Sequence, residues 1–169
     1  MSNQFVIINE LKKSKKEDDR KKCILLLQEH LVLSPNDVNA WYDLACCFDF
    51  CGLEKDAEPC YLKVYKLGWQ NLSADDQASF FIGFGSTLRN NFKYSESIKF
   101  LDVGIAAFPN YPALKVFKAL TLYSMNQFRD STKILFDTIL QMPEKSFDGF
   151  DSAIKYYIDN LETEQADAK

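Results

Sequence analysis

The sequence predicts an all-α chain, an α-solenoid of about four helix-turn-helix units closed by a C-terminal capping helix. Three observations carry this. Only 6 glycines and 5 prolines occur in 169 residues, so few positions interrupt a helix. Apolar residues recur at spacings of three and four almost throughout, which marks one buried face per helix. The prolines also keep a ruler, since Pro109 and Pro143 stand 34 residues apart and Pro35 precedes Pro109 by 74, about two such steps plus a short insertion. A fixed step of that length belongs to a helical repeat array.

Taken in order, the first unit (about 4–37) holds Leu11, Cys23-x3-Leu27 and Pro35. The second (38–71) reads Trp41-x2-Leu44-Ala45-x2-Phe48, then Ala57-x3-Tyr61. The third (78–111) gives Phe81-x2-Phe84-Gly85-x2-Leu88, Ser97-x3-Leu101 and Pro109, and the fourth (112–145) keeps Ala119-x2-Leu122, Ser131-x3-Leu135 and Pro143. This in-register pattern resembles the tetratricopeptide repeat family, whose units run Trp-x2-Leu-Gly-x2-Tyr, then Ala-x3-Phe, then Pro. The resemblance covers roughly residues 4–145.

The departures are informative. Ile7, Glu10 and Ser14 occupy the first-helix sites of the first unit, as suits a terminal repeat with one side in water. The second unit ends at Gly68-Trp69 without a proline, so "GWQNLSADD" is read as a longer loop. Ser73 and Asp76 then form a capping pair for the next helix. Pro59 falls near a helix start, where a missing amide costs little within the first turn. Lys115 and Lys118 replace an aromatic and a leucine in the fourth unit, so its first helix either rotates or uses Leu114 and Phe117 instead. After Pro143, Ser146 can cap a last helix (about 147–162) whose apolar face is Phe147, Phe150, Ile154, Tyr157, Ile158 and Leu161. Residues 1–162 are read as one domain, and 163–169 as a frayed tail.

The stretch Gly83-Phe84-Gly85-Ser86-Thr87 tests the enzyme alternative. A phosphate-cradling loop needs glycines at a strand-to-helix turn, with a lysine and Ser/Thr at set spacing or a third glycine. Neither is present. A glycine inside a helix costs about 1 kcal/mol relative to alanine, and persists where a side chain would hold two backbones apart. Ala45 and Ala119 at the places equivalent to Gly85 support close helix packing.

A net charge of -4 and a pI near 5.1 argue against nucleic acid as a partner, since such binders normally show a basic face and a high pI. The start, "MSNQFVIINELKK", has no apolar run long enough for a signal peptide or a membrane helix. The five cysteines, Cys23, Cys46, Cys47, Cys51 and Cys60, are therefore expected to be reduced thiols of a cytoplasmic protein. They read as small apolar fillers rather than zinc ligands, because Cys47 and Cys51 share one helix. His30 is the only histidine, which excludes triads and sites needing two imidazoles, and it reads as a packing residue. The basic run Leu11–Lys22 contains Glu17, Asp18 and Asp19 and reads as a solvated face. Asp75 and Asp76 sit at a helix start, where they favour its dipole. No catalytic, cofactor or metal constellation emerges, and none is expected.

The family resemblance implies a right-handed superhelix whose concave groove is lined by the first helix of each unit and holds an extended peptide or a partner's helix. Carried over residue by residue, the groove positions are Phe5, Ile8 and Lys12; Asn39, Tyr42, Cys46, Asp49 and Phe50; Ser79, Ile82, Ser86, Arg89 and Asn90; and Ala113, Val116, Leu120, Tyr123 and Ser124. Tyr42, Phe50, Arg89, Asn90 and Tyr123 lead this set, since tyrosine and arginine carry binding energy at desolvated sites. The subfamily that grips acidic heat-shock tails uses lysines, asparagines and an arginine where this chain has Ile8, Lys12, Asp43, Ser79 and Gly83, so that ligand is not expected. Size, acidity and "FFIGFG" also resemble tetratricopeptide chaperones of type III secretion. The leading expectation is a non-enzymatic adaptor for an unidentified protein or peptide, with no membrane partner. The alternatives are a self-associating scaffold, hence a homo-oligomer, and a secretion-type chaperone.

Overall fold

The computed structural model describes residues 3–141 and, beyond them, residues 150, 152, 153 and 156. Among these, eight α-helices follow one another without a strand: α1 (Asn3–Leu11), α2 (Glu17–Leu33), α3 (Val38–Phe50), α4 (Glu54–Leu67), α5 (Ala74–Asn90), α6 (Tyr94–Ala107), α7 (Pro112–Ser124) and α8 (Phe128–Gln141). Each packs against the next, and α5 also touches α3 and α7. The helices thus form consecutive antiparallel pairs, a tetratricopeptide-type solenoid.

The turn inside each of the last three pairs is built the same way. Gly52, Phe92 and Asn126 take φ of 68°, 61° and 61°, and the next residue donates its amide five residues back, Leu53 to Phe48, Lys93 to Leu88 and Gln127 to Leu122, at 3.0, 2.8 and 2.9 Å. This left-handed cap satisfies carbonyls that the helix end leaves unpaired. It recurs at the repeat spacing although only one of the three residues is glycine.

Inside a pair, the small positions let two backbones approach. A methyl added to Gly85 on α5 would lie 2.6 Å from Leu101 Cγ on α6. Ser97 Oγ on α6 donates to the Gly85 carbonyl at 2.7 Å, and Ser131 Oγ on α8 donates to the Ala119 carbonyl at 2.7 Å. The same repeat position thus supplies the same hydroxyl clasp twice. Ser97 Oγ also lies 3.0 Å from Thr121 Oγ1 on α7, which links the third pair to the fourth. Gly83 lies against Tyr61, where a side chain would fall on the phenol.

The core runs through the stack as one cluster. Tyr61 stacks on Phe84 at 5.7 Å between ring centroids, and Phe84 meets Phe100 at 4.3 Å. A fully buried Phe side chain contributes about 1.5–3 kcal/mol, so this aromatic column is the main apolar tie between the second and third pairs. The longer loop after α4 holds a single 3-10 turn, Trp69–Asn71. Trp69 turns edge-on to Phe81 at 5.0 Å and Phe108 at 5.7 Å, so the insertion is wedged into the stack by its indole.

Several expectations are refined. Ser73 caps α5 as expected, accepting from the Asp76 amide at 3.3 Å, and the helix therefore starts at Ala74, a turn before residue 78. Pro59 lies in the second turn of α4 rather than the first, so it does remove an intrahelical bond. Leu114 and Phe117 fill the core in α7, while Lys118 reaches Asp102 at 2.6 Å and Lys115 reaches Gln141 at 3.0 Å. The basic run is not wholly solvated. Lys12 pairs with Asp43 at 2.9 Å and Arg20 turns inward. The expected capping helix and tail fall mostly outside the described residues; of that segment, Phe150 meets Phe117 at 6.0 Å and Ala153 packs against the core.

Candidate functional site

The first helices of the pairs, α1, α3, α5 and α7, form the row from which the groove positions project. The structure divides those positions into two groups. Tyr42, Ile82, Ser86, Arg89, Val116 and Leu120 are buried, as are Ile8 and Ala113. Asn39 and Phe50 are exposed, and Cys46, Asp49, Ser79, Asn90, Tyr123 and Ser124 are half-buried. The Phe5 side chain lies outside the described residues.

Packing explains the buried group. Tyr42 sits edge-on to Tyr61 at 6.3 Å and to Phe80 at 6.5 Å, and burial pushes its phenol upward from the ordinary value. Arg89 is only 3% exposed, and its Nε donates to Ser124 Oγ at 2.9 Å, bridging α5 to α7. Between α5 and α7 the row is therefore bridged by its own contact, and Arg89 serves as a brace. Asn90 donates to Glu54 Oε1 at 3.2 Å, and Asn91 to Glu58 Oε2 at 2.8 Å, which ties the end of α5 to the start of α4. Tyr123 rests edge-on against Phe128 at 4.9 Å.

Between α3 and α5 the surface is different. Asp49 accepts from Tyr61 Oη at 2.7 Å through Oδ2 and from Thr87 Oγ1 at 2.7 Å through Oδ1. Burial pushes its carboxyl up to about 7, against the pull of those two hydrogen bonds. Cys46 lies 3.8 Å from the Tyr61 hydroxyl, and burial pushes its thiol up to about 12. Gly83 lies beside the Tyr61 hydroxyl and is half-buried, and towards the starts of α3 and α5 Asn39 and Ser79 keep some access to solvent. Asp43 next to them is held by Lys12, and burial outweighs that lysine in raising its carboxyl above the ordinary value.

The other candidate residues sit within the helix packing. His30 Nε2 donates to Asp37 Oδ2 at 2.9 Å, while Asp37 Oδ1 caps α3 by accepting from the Ala40 amide at 3.0 Å. Burial pushes the Asp37 carboxyl up, but the Ala40 amide and His30 together hold it below the ordinary value. All five cysteines are free thiols. Among the described residues no group of three or more His, Cys, Asp or Glu could hold a metal ion, and no helix is long and apolar enough to cross a membrane. Arg20, Thr87 and the hydroxyls of Ser97 and Ser131 were not evident from sequence. Ser97 and Ser131 did stand at one repeat position, which was the available signal.

A row of paired helices with internally satisfied polar groups defines a repeat scaffold. The chain belongs to the Tetratrico peptide repeat family, whose model matches residues 38–160. Proteins of this family are in general protein-protein interaction modules, and the fold is generally non-enzymatic. No curated protein matches the chain.

Proposed function

We propose that the chain is a non-catalytic adaptor that holds a peptide segment or a partner's helix along the first-helix row, chiefly between α3 and α5. The observation that carries this reading is the contrast along the row. Between α5 and α7 buried Arg89 bridges to Ser124, while Asn39 on α3 is exposed and Ser79 and Gly83 on α5 are half-buried. The Asn39 amide and the Ser79 hydroxyl supply hydrogen bonds to a peptide backbone laid there. The net charge of -4 favours a protein partner over nucleic acid or an anionic membrane surface.

The test uses the native chain and an Asn39→Arg/Ser79→Arg variant as baits in a lysate of the source cell, with captured proteins identified by mass spectrometry. A protein held by the native chain and lost from the variant, with helical content unchanged, supports the reading. Identical capture by both baits removes the α3–α5 surface from consideration.

Self-association is favoured by a separate observation: Phe136 and Ile139 on the outer side of α8 are 62% and 58% exposed. Light scattering over a range of concentrations, with the native chain and Phe136→Asp, separates the two readings. A native chain that stays monomeric at all concentrations rules the scaffold out.

A further inference from the structure

Cys23 on α2 and Cys47 on α3 are each 0% exposed on helices that pack against each other, and the α2 face that carries Cys23 reaches Cys47 Sγ through Arg20. A bond between them would tie the first helical pair to the second. The third member of the cluster is Arg20, on α2 one turn before Cys23, whose Nη1 lies 3.9 Å from Cys47 Sγ. Its guanidinium is held in place by donation from Nε to the Ser14 carbonyl at 2.9 Å and by the Phe50 ring, 4.5 Å below it. None of these contacts is to a carboxylate, so the cation's charge remains directed at the sulfur. Asp43, whose charge opposes the Cys47 thiolate, is itself paired with Lys12.

A thiolate, not a thiol, is the nucleophile, and a neighbouring guanidinium favours it. The cysteines separate accordingly. The Cys23 thiol and the Arg20 guanidinium favour the Cys47 thiolate against the effect of burial, whereas Cys23 itself is pushed up by Cys47 and by burial, and burial pushes Cys51, Cys46 and Cys60 up. Access follows from α1. The Cys23 thiol points to the Ile8 carbonyl at 3.9 Å, so the nine-residue α1 lies against Cys23. A helix that short is marginal by itself, and Val6, Ile7, Asn9 and Glu10 of α1 are exposed, so it belongs with the elements of few buried contacts that open at low free energy.

We propose that Cys23 and Cys47 form an oxidisable dithiol site that hydrogen peroxide converts to a disulfide joining α2 to α3. The Cys47 thiolate attacks one peroxide oxygen, the O–O bond breaks, and the departing hydroxide takes a proton to become water, leaving Cys47 as a sulfenic acid. Cys23 sulfur, losing its proton, then attacks the Cys47 sulfur and expels the hydroxyl as a second water. The two thiols lose two electrons and two protons, and one peroxide becomes two waters. Dithiol reductants reverse the change by thiol-disulfide exchange.

The experiment treats the full reduced chain with hydrogen peroxide at neutral pH, blocks remaining thiols, and maps linked peptides by mass spectrometry without reduction. A Cys23–Cys47 link that forms before any change at half-exposed Cys51, and that dithiothreitol removes, is the expected result. Arg20→Gln should slow its formation roughly tenfold or more, since the thiolate fraction falls when the cation is removed, while Arg20→Lys restores most of the rate. Independently of Arg20, the Cys23→Ser chain should accumulate a sulfenic acid at Cys47 that a carbon-acid probe such as dimedone traps. Oxidation of Cys51 ahead of Cys47, an unchanged rate in a folded Arg20→Gln chain, or no trapped Cys47 in Cys23→Ser would overturn the proposal.

Discussion

The phenol of Tyr61 on α4 donates to Asp49 Oδ2 on α3 at 2.7 Å, and Thr87 on α5 donates to the other carboxylate oxygen. One acid thus joins three helices from two neighbouring pairs. Its folded-state carboxyl is raised to about 7 from an ordinary 3.8, so the folded chain keeps a proton that the unfolded chain releases. The stabilisation from this group is complete below about pH 4 and is lost as pH rises through about 7. Asp49→Asn should remove that dependence. Denaturant titrations across this window should show the native chain losing up to about 1.4 kcal/mol per pH unit relative to Asp49→Asn; parallel curves for the two chains would refute the assignment.

Phe92 occupies the left-handed turn position that Gly52 and Asn126 occupy in the neighbouring pairs, with φ of 61° and 57% exposure. A residue with a Cβ pays roughly 1–2 kcal/mol for that conformation. Replacing it with glycine should stabilise the chain by about 1 kcal/mol, after the loss of its edge contact with Tyr94 at 6.3 Å. Thermal unfolding checks this, and a lower midpoint for Phe92→Gly would show that the ring contact outweighs the strain.

Gly85→Ala should behave in the opposite sense. The gain in helix propensity is about 1 kcal/mol, but the new methyl meets Leu101 Cγ at 2.6 Å in a side chain with no exposed surface. Overpacking of that kind costs about 1–3 kcal/mol, so the variant should be less stable than the native chain. Adding Leu101→Val should recover part of the loss, and a double-mutant cycle measures the coupling.

Lys12 to Asp43 is the ion pair that fastens the end of α1 to α3. Lys12→Ala leaves the partly buried carboxylate without its cation, so hydrogen exchange should quicken in α1 by several-fold and remain unchanged in α5 and α6. Uniform acceleration across all helices would mean that the pair supports the whole stack rather than its end.

The helices were legible because the sequence almost lacks breakers and because Leu44, Ala45, Gly85, Leu88 and Leu122 recur at repeat spacing. Caps were legible too, as with Ser73. What spacing could not supply was the distance between successive pairs. Arg89 projects from the expected row, but the approach of α5 to α7 decides whether it meets solvent or Ser124. Arg20 lay in a run of charges and gave no sign that one of them turns inward. The turn at Phe92 was hidden because a bulky residue stands where glycine would have announced it.

Trp69 gives the chain an optical consequence. The two tryptophans report from different places: Trp69 is edge-on to Phe81 and Phe108, while Trp41 donates its Nε1 proton to the Pro35 carbonyl. Changing one or the other to phenylalanine leaves a single intrinsic fluorophore, watching either the junction of the middle pairs or the beginning of the stack. The order in which the two emission signals shift during denaturation reads out which end of the array melts first, without any label attached.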